Sequence, residues 1–360
     1  APPAGSAPVP ATPAASAPTP VKPAKAATGV KALTADEKKR ALEGALKQAQ
    51  TAGKKADRDA ITNTLLYNNT DAESWWAGMV FDASFLDVPI QPSGGSVTGV
   101  HRELYDRLVI AEKKLMALFP NLSKAQIAGK MGIYQIAGVR PPKKATGGSL
   151  PSYHCFGLAI DINHPTNPFV GNWMPTLDAD HDKKVTAEEQ AKYDLSMQSR
   201  SPRIIERAML LLHGEQFNIE KRIKVPKGAG TTAGRLWEIH HHASEALAEY
   251  LRLADELDGQ KLKNLVDVRR KAGDNRDLAF WKQQIAADKA QIKRGDFIHH
   301  KVPEKSGYMD LGKELVEALV ENGKLLWGGS YSGAKDMMHF DWRDGTISKR
   351  PPKGWKPPAK

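Results

Sequence analysis

The stretch Ser152–Asn163, SYHCFGLAIDIN, decides how the rest of the chain is read. It sets an imidazole, His154, ahead of a carboxylate, Asp161, with Gly157 and an alternating apolar run between them. Side chains alternate faces along a strand, so Leu158, Ile160 and Ile162 are expected to face a core while Ala159 and Asp161 face the other way, Asp161 into a cleft. A second stretch, WGGSYSGAKDMMHFDW from Trp327 to Trp342, ends in the same alternation, with Met338, Phe340 and Trp342 set against His339 and Asp341. His339 then stands on the polar face, and Asp336 lies just upstream at the mouth of the strand. Two histidines and one carboxylate form the ligand set of a catalytic zinc, which keeps its fourth position open for water. Asp336 is left over as an acid/base group.

At these two stretches the chain resembles the zinc D-alanyl-D-alanine peptidase family, which includes wall carboxypeptidases, D-Ala-D-Ala dipeptidases and phage L-alanoyl-D-glutamate endopeptidases. The family pattern reads S-x-H-x-x-G-x-A-x-D, then an acid, two residues and H-F or H-W. Ser152, His154, Gly157, Ala159, Asp161, Asp336, His339 and Phe340 match it in order. The likeness covers roughly residues 138–163 and 325–342, a small part of the chain. It implies a small, mainly antiparallel sheet carrying the zinc site in a Hedgehog/DD-peptidase-like core; with the helices that the residue pattern gives packed on it and a long helical insertion between Asp161 and Asp336, the expected fold class is α+β. It also implies that His154, Asp161 and His339 hold zinc and that Asp336 takes the proton of the attacking water. Arg140, in the run Gly138-Val139-Arg140, falls where the family has an arginine that stabilises the tetrahedral intermediate. A guanidinium suits that role because it stays charged and offers a rigid fork of donors; the plain alternative is a surface arginine near Lys143 and Lys144. Ser152 and Tyr153 are expected to touch substrate.

Some family members have glutamate at the position of Asp336, and phage-type members have aspartate. With the Trp327-Gly328-Gly329 lead-in, this favours an L-Ala/D-Glu endopeptidase of peptidoglycan stem peptides, with D-Ala-D-Ala carboxypeptidase as the alternative. A non-catalytic relative that keeps zinc for stability and binds wall glycan is a further alternative; Asp336 and Arg140 count against it, because a structural site needs neither.

Composition bounds these readings. The 360 residues are 41% hydrophobic and carry 52 basic against 41 acidic side chains, a formal net charge of +11. That length allows two or three units and a sizeable core, and the charge favours polyanionic surroundings. The basic residues are scattered rather than striped and no recognition motif appears, so nucleic acid is not an expected partner. No run approaches the ~20 apolar residues of a membrane span. A secreted, periplasmic or wall location fits the resemblance, and without a charged start and apolar run at the N-terminus export implies a removed signal or another route. The single cysteine, Cys155, precludes an intrachain disulfide. Read as extended, the segment puts Cys155 and His154 on opposite faces, so Cys155 is expected to be a packed side chain and not a nucleophile.

Outward from the motif the chain divides by pattern. Residues 1–30 are Pro/Ala-rich and expected to be a disordered tail. Residues 31–95 read as a helical N-terminal region: Thr34 and Glu37 have capping-box spacing, and Trp75, Trp76, Phe81 and Phe85 cluster in a segment read as helical, as core or as a glycan-binding surface. Residues 96–345 are the zinc peptidase domain, opening on an amphipathic helix over 100–120 and carrying a helical insertion at about 165–305 that can restrict substrates or bind a protein partner. Within the insertion, Asp178, Asp180, Asp182, Lys184, Thr186 and Glu189 have the spacing of an EF-hand-like calcium loop, but Lys183 stands where that loop needs glycine. The stretch reads either as a calcium site or as a solvated acidic turn capping the next helix. Glu238 and His242 are one helical turn apart and could share a metal; His240, His241, His242 and the pair His299-His300 are expected to be exposed or half-packed. Residues 346–360 form a basic, Pro-rich tail, expected to be unstructured and able to touch an anionic wall polymer.

Overall fold

The central sheet is assembled from short strands that the chain delivers out of order. The computed structural model describes residues 32–145, 150–170, 184–191, 201–214, 233–293, 297–298, 303–331, 334–352 and 354–357. In chain order these give helices α1 (Ala35–Thr51), α2 (Lys55–Tyr67) and α3 (Ala72–Ala77), then strands β1 (Met79–Val80), β2 (Ser84–Phe85), β3 (Val88–Gln91) and β4 (Val100–His101). Helices α4 (Arg102–Leu118) and α5 (Lys124–Lys130) follow, then β5 (Ile136–Ala137), β6 (Ala159–Ile162) and β7 (Phe169–Val170). The C-terminal part brings β8 (Phe297–Ile298), β9 (Leu326–Trp327), β10 (Lys335–Asp336) and β11 (His339–Asp341).

Six strands pair in the order β2-β3-β5-β6-β11-β9. Only β3 and β5 run parallel; the other neighbours are antiparallel. The register that matters is between β6 and β11, where His339 lies opposite Asp161 and Phe340 opposite Ile160. Cross-strand partners share a face, so the same pairing that puts Ile160 and Phe340 into the core puts Asp161 and His339 side by side on the reverse. Gly157 sets the start of β6: it turns at φ +70°, and a Cβ there would stand 2.8 Å from the His101 backbone nitrogen.

Helix α4 packs its stripe of Leu104, Leu108, Ala111 and Leu115 into the core, the periodicity of a surface helix. The Thr34–Glu37 capping box starts α1 as expected. The molecule is thus a mixed α and β fold with small sheets and packed helices.

Three expectations are corrected. Residues 79–91, expected to be helical, form β1, β2 and β3: the helix stops at Ala77, and the aromatics beyond it bury from strands and turns instead. All four clustered aromatics are core, with Trp75 stacked on His101 at 3.8 Å and its indole N–H donating to Phe156 O at 3.1 Å. The insertion is not purely helical, because β7 and β8 within it pair with each other and β7 also pairs with β10. Its helices include Ser201–His213, Ala233–Arg252, Gln260–Lys271 and Leu278–Gln291; a buried Asp288 on the last of these joins it to the first two by accepting from Arg207 Nε at 2.9 Å and from the Tyr250 hydroxyl at 2.7 Å. Finally, the described part of the C-terminal tail is not unstructured. Ile347 is buried, Lys349 and Asn68 exchange two hydrogen bonds at 2.9 and 3.2 Å, and Trp355 meets Tyr67 edge-on.

Candidate metal centre

His154 sits in a single 3-10 turn, Tyr153–Phe156, between Ser152 and Gly157. The segment is therefore not extended, as the sequence reading took it to be, yet Cys155 still points away from the site. Its buried thiol donates towards the Pro141 and Lys143 carbonyls, both at 3.3 Å, and burial pushes it up to about 11. Such a thiol stays protonated and inert near neutrality.

The turn, β6 and β11 bring three side chains together. His154 Nε2 lies 3.0 Å from Asp161 Oδ1 and 3.1 Å from His339 Nδ1, and His339 Nδ1 lies 3.1 Å from Asp161 Oδ1. All three residues are buried, and among the described residues they form a group able to hold a metal ion. The outer partners fix what these atoms are. His154 Nδ1 is 2.7 Å from the Gly138 carbonyl, which can only accept, so Nδ1 carries the proton and Nε2 offers a lone pair. His339 Nε2 likewise donates to Asp341 Oδ2 at 3.0 Å, leaving Nδ1 to face inward. Three acceptor positions therefore point at one another, and a cation is the group that satisfies all three. A tetrahedral ion with bonds of ~2.1 Å keeps its donors about 3.4 Å apart, so the triangle closes on an ion after a shift of about 0.3 Å.

Electrostatics agree with this geometry. Burial lowers the pKa of His154. At His339 burial acts the same way, but hydrogen bonds to Asp161 and Asp341 outweigh it and hold the ring up to about 10. Burial alone would raise Asp161, yet the charge and hydrogen bonds of His154 and His339 keep it well below the usual carboxylate range. The pocket stabilises one positive charge strongly; in the absence of metal a proton supplies it, and an incoming cation displaces that proton.

Around the triad stand the other expected residues. Asp336 on β10 is half-buried as a residue, but its Oδ1 is buried and has no hydrogen-bond partner among the described residues; burial of the carboxyl pushes it up to about 7, against the pull of His339 and Arg140 and with the help of Asp161 and Asp341. Its placement depends on Gly328, where a Cβ would stand 2.2 Å from the Asp336 carbonyl oxygen. Arg140 Nη2 donates to Asp161 Oδ2 at 3.2 Å, while its buried Nε has no partner among the described residues. Ser152 is buried just before the 3-10 turn, and the Tyr153 ring lies beneath two guanidiniums, Arg350 at 4.2 Å and Arg343 at 5.2 Å.

Two contributors were missed from the sequence. Asp341 is fully buried and takes the outer N–H of His339 while Arg343 Nε and Nη2 grip it at 2.7 and 2.8 Å. The alternation had placed it on the face of His339, which is the only signal for that role. His240, expected exposed or half-packed, is fully buried instead. It lies on the helix Ala233–Arg252, donates from Nε2 to Gly329 O at 2.8 Å, and accepts from the Tyr308 hydroxyl at 3.1 Å. It ties the insertion to the Gly328–Ser330 turn that backs Asp336.

The remaining expected sites do not gather. Glu238 pairs with Lys313, His241 stacks on Trp237 at 4.4 Å, and His242 meets His213 at 4.6 Å, so Glu238 and His242 have separate partners. Of the six calcium-loop residues, Asp178, Asp180 and Asp182 lie outside the described residues, as do His299 and His300. Lys184 and Thr186 are exposed and Glu189 half-buried, and the Glu189 carboxylate accepts from the Thr186 backbone and hydroxyl, both at 2.9 Å, as in a helix cap. Among the described residues no helix is long and apolar enough to cross a membrane. Comparison of the chain with protein-family models, curated proteins and solved structures finds no match.

Proposed function

We propose that the protein is a zinc-dependent peptidase. One observation carries the reading: three acceptor atoms converge at cation distance, and beside them lies a half-buried carboxylate, Asp336, whose buried Oδ1 has no partner among the described residues. A metal held for stability alone needs no such acid. Two imidazole nitrogens and one carboxylate oxygen suit zinc, and a tetrahedral ion on three protein ligands keeps one position for water.

Bound by His154, Asp161 and His339, zinc supplies Lewis acidity towards a water and a peptide carbonyl. Asp336 accepts the proton of the attacking water at Oδ1 and returns it to the leaving amine, a task that suits a carboxyl raised to about 7. Arg140, anchored through Asp161, supplies the fixed positive charge that stabilises the developing oxyanion. Asp341 and the Gly138 carbonyl hold the two imidazoles in the tautomers that ligation requires.

Within that class we read the protein as a peptidoglycan endopeptidase that cuts between L-Ala and D-Glu of the stem peptide, acting in the periplasm or wall outside the cytoplasm. The order of the matched residues, the aspartate at position 336, the Trp327-Gly328-Gly329 lead-in and the affinity of a basic chain for an acidic wall support it. The places of Asp161 and His339 on two paired antiparallel strands, with His154 in the turn just before the first of them, are consistent with a Hedgehog/DD-peptidase-like core.

The test is mass spectrometry of soluble products after incubating zinc-loaded protein with purified peptidoglycan, beside a chelated sample and Asp336→Ala. Stem peptides with a new N-terminal D-Glu establish the endopeptidase; loss of a single terminal D-Ala makes it a carboxypeptidase. Identical products in all three samples, with zinc retained by Asp336→Ala, leave a wall-binding protein in place of an enzyme.

A further inference from the structure

The Tyr153 ring carries an unusual load. Arg350 lies 4.2 Å and Arg343 5.2 Å from its centroid, so two guanidiniums share one aromatic platform immediately next in sequence to the metal-binding His154. A ring quadrupole attracts each cation, but it does not cancel the repulsion between them. Arg343 is neutralised, since its Nε and Nη2 bind both oxygens of Asp341. Arg350 is not: among the described residues no carboxylate pairs with it, and its Nη1 is buried without a hydrogen-bond partner. A buried, unpaired N–H of a charged group is costly to leave unmade. The docked tail holds it there, through the paired bonds of its neighbour Lys349 with Asn68.

The location narrows the ligand. Asp341 Oδ2 touches both Arg343 Nη2 at 2.8 Å and His339 Nε2 at 3.0 Å, so a single carboxylate separates Arg343 from a candidate metal ligand, and the Tyr153 ring joins Arg350 to Arg343. Half of the Arg343 side chain's surface remains open, 42% by area. We propose that Arg350 and Arg343 form a subsite for a substrate carboxylate close to the scissile bond, with Tyr153 as its platform. The proposal rests on the peptidase reading above and deepens it: the substrate is an anionic peptide whose leaving-amine side bears a free carboxylate. Arg350 supplies the unspent donor in the fork geometry that suits a carboxylate.

Two synthetic stem peptides distinguish this from a purely structural stack, one with the D-Glu α-carboxylate free and one with it as the carboxamide. The zinc-loaded full chain is expected to cut the carboxylate peptide with a kcat/KM about tenfold higher, through KM rather than kcat, as for one charge-assisted pair. Arg350→Gln should erase that preference while leaving the carboxamide peptide unaffected, and Arg350→Lys should restore part of it. If the preference survives in Arg350→Gln, or if that variant slows both peptides equally, the subsite assignment is overturned. Should the wild-type chain cut neither peptide, the peptidase reading fails by itself, and isothermal titration then judges the subsite alone. In that assay about tenfold tighter binding of the carboxylate peptide, lost in Arg350→Gln, upholds it, and equal binding of the two peptides sinks it.

Discussion

Two groups of histidines in this chain have opposite fates. His154 and His339 each spend one ring nitrogen on an oxygen that can only accept, Gly138 O and Asp341 Oδ2, and turn the other towards Asp161. His240 spends both, one on the Tyr308 hydroxyl and one on Gly329 O, while His241 and His242 lie on rings at the helix surface. A histidine becomes a ligand when its second nitrogen has nothing but other acceptors to face. Proximity in sequence, which makes the run His240-His241-His242 conspicuous, counts for little.

The harshest way to break that contrast is to remove one ring from each group. His154→Ala takes away a ligand and should abolish stoichiometric metal binding and, with it, peptide hydrolysis, whereas His241→Ala, on an exposed face, should change neither. Metal content after dialysis and a chelator-competition titration measure this. Equal metal loss in both variants would mean that the converging acceptors are not the metal site.

Asp341→Asn sharpens the comparison with a smaller effect. The amide oxygen can still accept from His339, so the ring keeps its direction, but the charge that makes it a better ligand is gone. Outer partners of this kind are typically worth 10–100-fold in metal affinity. We expect a loss in that range by competition titration, with metal still bound at saturation. An unchanged affinity would show that His339 is oriented by the strand alone.

The His154–Asp161–His339 cluster was legible because the pattern that places it is local. A period of two fixes which side chains share the face of β6 and β11, and His154, Asp161, Asp336 and His339 lie close to strand or turn positions that a short pattern specifies. The strands β1, β2 and β3 were not legible, because strands of two to four residues carry too little alternation to detect and Trp75, Trp76, Phe81 and Phe85 serve a core equally well from a helix. Nor was the docked tail: KRPPKGWKPPAK has the composition of a solvated segment, and only contacts across the fold, Trp355 on Tyr67 and Arg350 over Tyr153, order it. His240 and Asp341 form a third class. Their places on a helix or strand were readable, but burial is set by what packs against them, here the Gly328–Ser330 turn and Arg343.

His240 yields the mildest prediction, since no change in metal binding is expected from it. Burial lowers its pKa from 6.5 to about 3, so the ring is neutral in the fold and takes up a proton in the unfolded chain. A group depressed on folding contributes stability that is fully present above pH 6.5 and is lost as pH falls towards about 3, because the unfolded state binds more protons in that window. The slope is about 1.4 kcal/mol per pH unit where the difference is a whole proton. Gln at this position keeps a donor for Gly329 O but does not titrate. His240→Gln should therefore match or fall modestly below the wild type near pH 7, by roughly 1 kcal/mol for the bond to Tyr308 left imperfect, and lose less stability than the wild type between pH 6.5 and 4 in denaturant titrations. His240→Leu also removes the titration but orphans both Gly329 O and the Tyr308 hydroxyl, so it should be destabilised at every pH by roughly 2–4 kcal/mol. Parallel pH profiles for wild type and His240→Gln would mean that this histidine is protonated in the fold, and the contrast between spent and unspent imidazoles would have to be redrawn around it.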